Sequence, residues 1–250
     1  MSAILFGSIS TLADTSELQR RAFNEAFSSH GLDWNWSRED YKSMLDSNGG
    51  ADRIEDFAAS KGVEVDASAV HATKSEIFRS LLSSTDVSPR PGVVDTIAAA
   101  KASGAKLGFV TTTSKENVSA VLEALSPEVS RDSFDVLVDA GDVEQGKPDP
   151  ASYAFALDKL GEQPSACVAI EDNAGGVAAA AAADITCVAF PNENTAGSDF
   201  SSASETMATP VPCTWVIQTS WAAGTPISAA SRSRLAATAA GSSPTWSPRL

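Results

Sequence analysis

Residues 3–6, AILF, form an uninterrupted apolar run of strand length. The chain then turns polar. TSELQRRAFNEAFSSHG places Leu18, Ala22, Phe23, Ala26 and Phe27 on one face of a helix that Gly31 ends. Helical spacing continues through REDYKSMLDS, ADRIEDFAASKG and ASAVHATKSEIFRSLLSS, so residues 16–86 predict an all-helical block without a strand. The pattern changes at SPRPG, where prolines flank Arg90 and Gly92 closes a turn. From there helical stretches alternate with short apolar runs. VVDTIAAAKASG, SKENVSAVLEALS, DPASYAFALDKLG and AGGVAAAAAAD predict helices, while KLGFV, FDVLVDA, ACVAI and ITCVAF predict strands. This alternation implies an α/β fold with a parallel sheet and right-handed crossovers. The helical block interrupts it after the first strand and reads as an inserted cap domain. The expected division is a core at 1–15 and 87–195, a cap at 16–86, and an atypical tail at 196–250.

Composition changes the picture mainly at the C-terminus. Residues 201–250 hold Arg232, Arg234 and Arg249 against one acid, Glu205, whereas the whole chain has a net charge of −14. Trp215, Trp221 and Trp246 lie there among Ser, Ala, Thr and Pro without helical or strand rhythm. A disordered extension and translation in a shifted frame both account for that composition. The 250 residues, 43% hydrophobic, suffice for a full core with a smaller domain. The acidic balance argues against nucleic acid or an anionic membrane as partner. Cys167, Cys187 and Cys213 are far apart, and the first two sit in apolar runs, as small core residues do. With His30 and His71 alone, a histidine-rich metal centre is excluded. No apolar run reaches the roughly 18 residues of a membrane span, so a soluble, cytoplasmic protein is expected.

In an open parallel sheet, ligands bind beyond the carboxyl ends of the strands. There the chain reads FGSISTLADT, FVTTTSKENV, GDVEQGKPDP and AIEDNAGG. Thr111, at a strand end just before a helix, offers a hydroxyl beside backbone N–H groups, which suits an anion. Lys147, between Gly146 and Pro148, offers a point charge for phosphate. Glu171 and Asp172 offer hard oxygens for Mg²⁺, which commonly takes one or two carboxylates plus substrate phosphate. Each feature alone is ordinary; their order at successive strand ends carries the signal.

These stretches resemble the haloacid dehalogenase superfamily of phosphatases and phosphomutases, in the capped branch of β-phosphoglucomutase and xylulose-bisphosphate phosphatase. The likeness spans about residues 3–200 and implies a Rossmann-like core, with the cap opening and closing over it about SSTDVSPRPG. Thr111 matches the second family motif, Lys147 in GKPDP the basic third, and Glu171 and Asp172 in IEDN the acidic fourth. RPGV at 90–93 matches the return from cap to core, and RRAFNEAF and GGADRI resemble the sugar-phosphate phosphatases of this branch. The resemblance places Gly49, Gly50 and Arg53 near a substrate phosphate; a plain interhelical turn also explains the glycine pair.

The first motif departs from the pattern. Where the family reads Asp-x-Asp-Gly-Thr, this chain reads Gly7-Ser8-Ile9-Ser10-Thr11. The family's first aspartate attacks phosphorus and binds the metal; the second protonates the leaving group and later activates water. Neither Gly7 nor Ile9 can do this. Ser16 and Gln19 stand where the family has an acid and a histidine. Strand alternation points Ser8 away from the site, and Ser10 has no histidine within sequence reach to activate it. No intact catalytic group is therefore expected, and any Mg²⁺ site is weakened. Three functions remain open: a pseudoenzyme whose anion pocket takes a small phosphorylated metabolite, as a sensor or regulator would; a Mg²⁺-dependent phosphatase using water held by Glu171 and Asp172; and an interaction protein using the cap surface. Sequence leaves the ligand and oligomeric state undetermined.

Overall fold

The computed structural model describes residues 1–45 and 49–207. Strand β1 (Ala3–Phe6) leads into a single turn, α1 (Ile9–Leu12), and then the helical block: α2 (Ser16–Ser29), α3 (Arg38–Ser43), α4 (Gly50–Lys61) and α5 (Ala67–Ser84). The alternating half follows as α6 (Val93–Ser103), β2 (Lys106–Val110), α7 (Lys115–Ala124), β3 (Val136–Val138), α8 (Ala151–Leu160), β4 (Cys167–Glu171), α9 (Ala174–Ala182), β5 (Thr186–Ala189) and β6 (Glu205–Thr206).

The strands form one sheet in the order β3-β2-β1-β4-β5-β6, every pair parallel. Phe6 lies opposite Phe109 on one side and Ile170 on the other, so β1 is central and buried on both faces. Alternation sorts its side chains. Ile4 and Phe6 join Phe109, Ile97, Val118 and Leu122 on one face, while Ala3 and Leu5 join Tyr153, Leu157 and Ala180 on the other. Strand order reverses between β1 and β4, and a crevice opens beyond their carboxyl ends.

The helical block has an aromatic core of its own, in which Phe23, Phe27 and Trp36 meet at centroid distances of 4.6–6.1 Å. Helix starts are capped by side chains: Ser37 accepts from the Asp40 N–H, Asp66 from Ala69 and Ser114 from Asn117. Helix α5 ties the block to the sheet, since Val70 packs in the aromatic core and Phe78 and Leu82 pack under the sheet.

One expectation needs correction. The atypical tail was placed from residue 196, but the chain stays on the core through Met207. Phe200 and Ala203 pack against it, and β6 extends the sheet through Ser204 N–H to Cys187 O and Met207 N–H to Ala189 O, each 2.8 Å. A two-residue polar edge strand has no apolar run to announce it. The expectations for residues 208–250, Cys213 included, lie outside the described residues. Cys167 and Cys187 are buried free thiols, as their apolar runs imply. Among the described residues no helix is long and apolar enough to cross a membrane.

Candidate functional site

A cavity of about 350 Å³ lies between the strand ends and the helical block. Its floor begins where β1 stops. Gly7 N–H still bonds to Ile170 O at 2.9 Å, but the chain then turns into α1, fixed by the Thr11 hydroxyl donating to Ser8 O at 2.6 Å. Arg90 clamps this turn from behind. Its guanidinium donates to Ser10 O (2.9 Å), Phe190 O (2.8 Å) and Pro191 O (2.7 Å) and lies 3.5 Å above the Phe190 ring. These contacts fix the shape of the turn through its backbone rather than its side chains. Ile9 is buried in the apolar cluster under the sheet.

Ser8 overturns one expectation. Its side chain does not point away; its hydroxyl donates to Asp172 Oδ1 at 2.5 Å. Alternation ended with β1 at Phe6, so the strand rule no longer applied two residues later.

Glu171 and Asp172 diverge at the end of β4. Asp172 faces the cavity and also accepts from the Asn173 amide at 3.0 Å. Burial pushes its carboxyl up, against the pull of the Ser8 hydrogen bond. Glu171 does not line the cavity and is fully buried. Its Oε1 accepts from Lys147 Nζ at 2.6 Å and from the Tyr153 hydroxyl at 2.7 Å, while its Oε2 has no hydrogen-bond partner among the described residues. Burial raises this carboxyl too, opposed by the Lys147 charge.

The carboxyl group of Glu171 lies where a side chain at position 7 would begin. A Cβ on Gly7 would be 2.1 Å from Glu171 Cδ and 2.5 Å from the Tyr153 hydroxyl oxygen. A Cβ on Gly176 would be 2.2 Å from the same Cδ. The two glycines leave a slot, and Glu171 fills it.

Lys147 lines the cavity, yet its ammonium is engaged by Glu171, by Val110 O at 2.8 Å and by Gly7 O. A lysine has three N–H donors, so none remains for a ligand in this arrangement. Thr111 lines the core side, buried, its Oγ1 accepting from the Thr113 N–H at 3.3 Å.

The helical block supplies the roof. Gly49 has φ +94°, a conformation that favours glycine, and a Cβ on Gly50 would be 2.3 Å from His71 Nε2. The pair is thus both an interhelical turn and a wall of the cavity. Arg53 lines the same wall, with its Nε donating to Met44 O at 2.9 Å. Gln19, His71 and Lys74 complete it, and sequence reading assigned none of them a role in this chain. Lys74 Nζ donates to Gln19 Oε1 at 2.8 Å and lies 4.7 Å and 5.1 Å from the Phe23 and Phe78 ring centroids. Burial lowers its pKa to about 7, and burial beside Lys74 and Arg53 lowers that of His71 to about 4. A signal was present: Lys74 interrupts the stripe Val70, Phe78, Leu82, a core position where a lysine is out of place.

Mg²⁺ needs convergent oxygens. Here the Glu171 carboxylate is committed to Lys147 and Tyr153 on one side and Asp172 faces the other. Among the described residues no group of three His, Cys, Asp or Glu side chains is arranged to hold an ion. The residues present do not fit the metal, and the expected pairing of Glu171 with Asp172 as its ligands is not formed.

A doubly wound parallel sheet carries a strand-end cavity, roofed by helices and lined on the core side by Thr111, Lys147 and Asp172. The family model for haloacid dehalogenase-like hydrolases matches residues 1–184, and the chain belongs to that family. It is 39% identical over 206 residues to Protein CbbY of Rhodobacter capsulatus, covering 81% of this chain and 91% of that one. Two crystal structures of CbbY from Rhodobacter sphaeroides are similar at 37% identity, covering 84% of this chain and 94% of theirs. One holds phosphate (TM-score 0.78); the other, an Asp-to-Asn variant, holds xylulose-(1,5)bisphosphate (TM-score 0.79).

Proposed function

We propose that this chain is a member of the family that binds a small phosphorylated sugar and has lost its hydrolysis, wholly or nearly so. One observation carries the reading: at the tip of β1 there is no carboxylate, and the space one would take is occupied by the Glu171 carboxyl group, 2.1 Å from where a Gly7 Cβ would stand. Removing a covalent nucleophile costs on the order of a million-fold in turnover, and phosphate monoesters hydrolyse among the slowest of reactions unaided. Ile9, buried and apolar, has no proton to give. The metal-activated-water alternative needs Glu171 and Asp172 to act together, and their carboxylates face different ways.

The cavity nevertheless suits an anion. Arg53 and Lys74 line it with the neutral His71 ring and the hydroxyls of Thr111, Thr113 and Ser114, inside a chain of net charge −14. A local cationic cleft in an acidic protein concentrates anions at that point. In this reading residues 16–86 act as a cap, Gly49, Gly50 and Arg53 contact ligand phosphate, and Thr111 and Lys147 form the core side. The cytoplasm, where phosphorylated sugars are found, is its compartment. The test is calorimetry with xylulose-(1,5)bisphosphate beside a phosphate-release assay with Mg²⁺. Binding without release is expected from the wild type, and release from the Gly7→Asp, Ile9→Asp double variant. Rapid release by the wild type, abolished by Asp172→Ala, overturns the reading.

A further inference from the structure

Lys147 is the pivot. A buried ammonium needs a counter-charge, and in this chain that charge is internal. Glu171 reaches it at 2.6 Å only because Gly7 and Gly176 leave the slot open, since a Cβ at either position would fall within 2.2 Å of the Glu171 carboxyl carbon. The carboxyl group so lodged is closed off from the cavity, and Asp172 is left facing the cavity with the Ser8 hydroxyl on its Oδ1. A divalent cation would therefore meet one carboxylate from β4 and none from β1, beside an ammonium that repels it.

We propose that this pocket takes its phosphorylated ligand without a divalent metal, because Glu171, lodged between Gly7 and Gly176, serves as the internal counter-ion of Lys147 and withdraws the carboxylate a metal would need. Loss of the first aspartate is then more than a deletion, since the space it leaves is reused by a neighbour. Lys147 and Glu171 neutralise each other at the strand ends, and the ligand's negative charge is met from the roof by Arg53 and Lys74. This rests on the ligand-binding reading above for its second half; the exclusion of metal stands on the slot alone.

The two halves separate experimentally. Mn²⁺, a paramagnetic stand-in for Mg²⁺, is titrated into the purified chain and followed by electron paramagnetic resonance, and xylulose-(1,5)bisphosphate binding is measured by calorimetry with Mg²⁺ and with EDTA. The wild type is expected to show no saturable Mn²⁺ binding and an unchanged sugar affinity. Saturable Mn²⁺ binding, or a loss of affinity of about tenfold or more in EDTA, overturns the inference. No sugar binding in either condition overturns the functional reading instead, and the Mn²⁺ titration still decides the metal question. Gly7→Asp crowds Glu171 out of its slot and is expected to gain Mn²⁺ binding; a folded variant without it counts against the slot. Should that variant not fold, Glu171→Gln keeps the shape and removes the counter-charge. Inorganic phosphate then binds about fivefold tighter or more, equivalent to roughly 1 kcal/mol, still without Mn²⁺. Unchanged or weaker phosphate binding shows that Glu171 does not quench Lys147.

Discussion

Two buried lysines face one cavity from opposite sides, Lys147 on the sheet side and Lys74 on the helical block, 6% and 4% exposed. Lys147 ends among oxygens that include the Glu171 carboxylate and lies 4.6 Å from the Tyr153 ring centroid. Lys74 ends on one neutral amide oxygen and two aromatic rings, and among the described residues it has no ion pair. A buried charge is tolerated when paired and costly when not. Lys147 is thus explained by the fold itself. Lys74 has no such counter-charge, and under the proposed function an anion entering the cavity supplies it. Burial alone does not distinguish a structural cation from a binding one; the partner does.

The largest effect should come from breaking the paired side. Lys147→Met leaves the Glu171 carboxylate buried with the Tyr153 hydroxyl alone, and loss of one partner of a buried pair typically costs about 3–5 kcal/mol. Urea unfolding measures it, and Glu171→Gln in the Lys147→Met background should recover a substantial part because the uncompensated charge is gone. A single variant as stable as the wild type removes the contrast between the two lysines.

The unpaired side should respond in the opposite sense. With a folded pKa of about 7 against 10.5 unfolded, Lys74 binds fewer protons in the native state between those values. Stability therefore rises with pH from about 7 to 10, by up to roughly 1 kcal/mol per unit. Lys74→Met should flatten that rise, and its stability advantage over the wild type should be largest at pH 7 and below. It should also weaken xylulose-(1,5)bisphosphate binding by about tenfold or more. In the wild type an anion re-protonates Lys74, so binding near pH 8 takes up a proton, detectable as a heat that varies with buffer ionisation. Unchanged sugar binding in Lys74→Met would show that this lysine is merely misplaced in the core.

How far these features can be read from the chain follows from their range. The strands at 3–6, 106–110, 167–171 and 186–189 are continuous apolar runs between turns, and the sequence pattern found them within a residue or so. The third strand is shorter than its apolar stretch, Val136–Val138 within FDVLVDA, because edge pairing with β2 engages only those positions. Thr111, Lys147 and Asp172 were legible as cavity residues because strand ends in an open sheet converge. The direction of Glu171 was not. It depends on glycines at 7 and 176 and on a lysine 24 residues away, which meet only once β1 and β4 are adjacent. Ser8 departs from strand alternation because the period of two ends with β1 at Phe6.

The smallest predicted effect concerns the link between the two sides. Arg79, on the same helix as Lys74, donates to Asn117 Oδ1 at 3.1 Å, and Asn117 in turn donates to Thr113 Oγ1 at 3.1 Å beside the cavity. This is a polar tie between α5 and α7, added to the apolar contact made by Phe78 and Leu82 under the sheet. Arg79→Ala removes a hydrogen bond worth about 1 kcal/mol or less, so urea stability should barely change. Because Lys74 keeps Gln19 and its rings, the pH dependence of stability should stay that of the wild type. Sugar affinity should fall by only a few-fold, roughly 0.5–1 kcal/mol, as the roof loses registration with the Thr113 loop. Should affinity fall as far as in Lys74→Met with the pH profile intact, the position of the roof, rather than the charge of Lys74, is what the ligand reads.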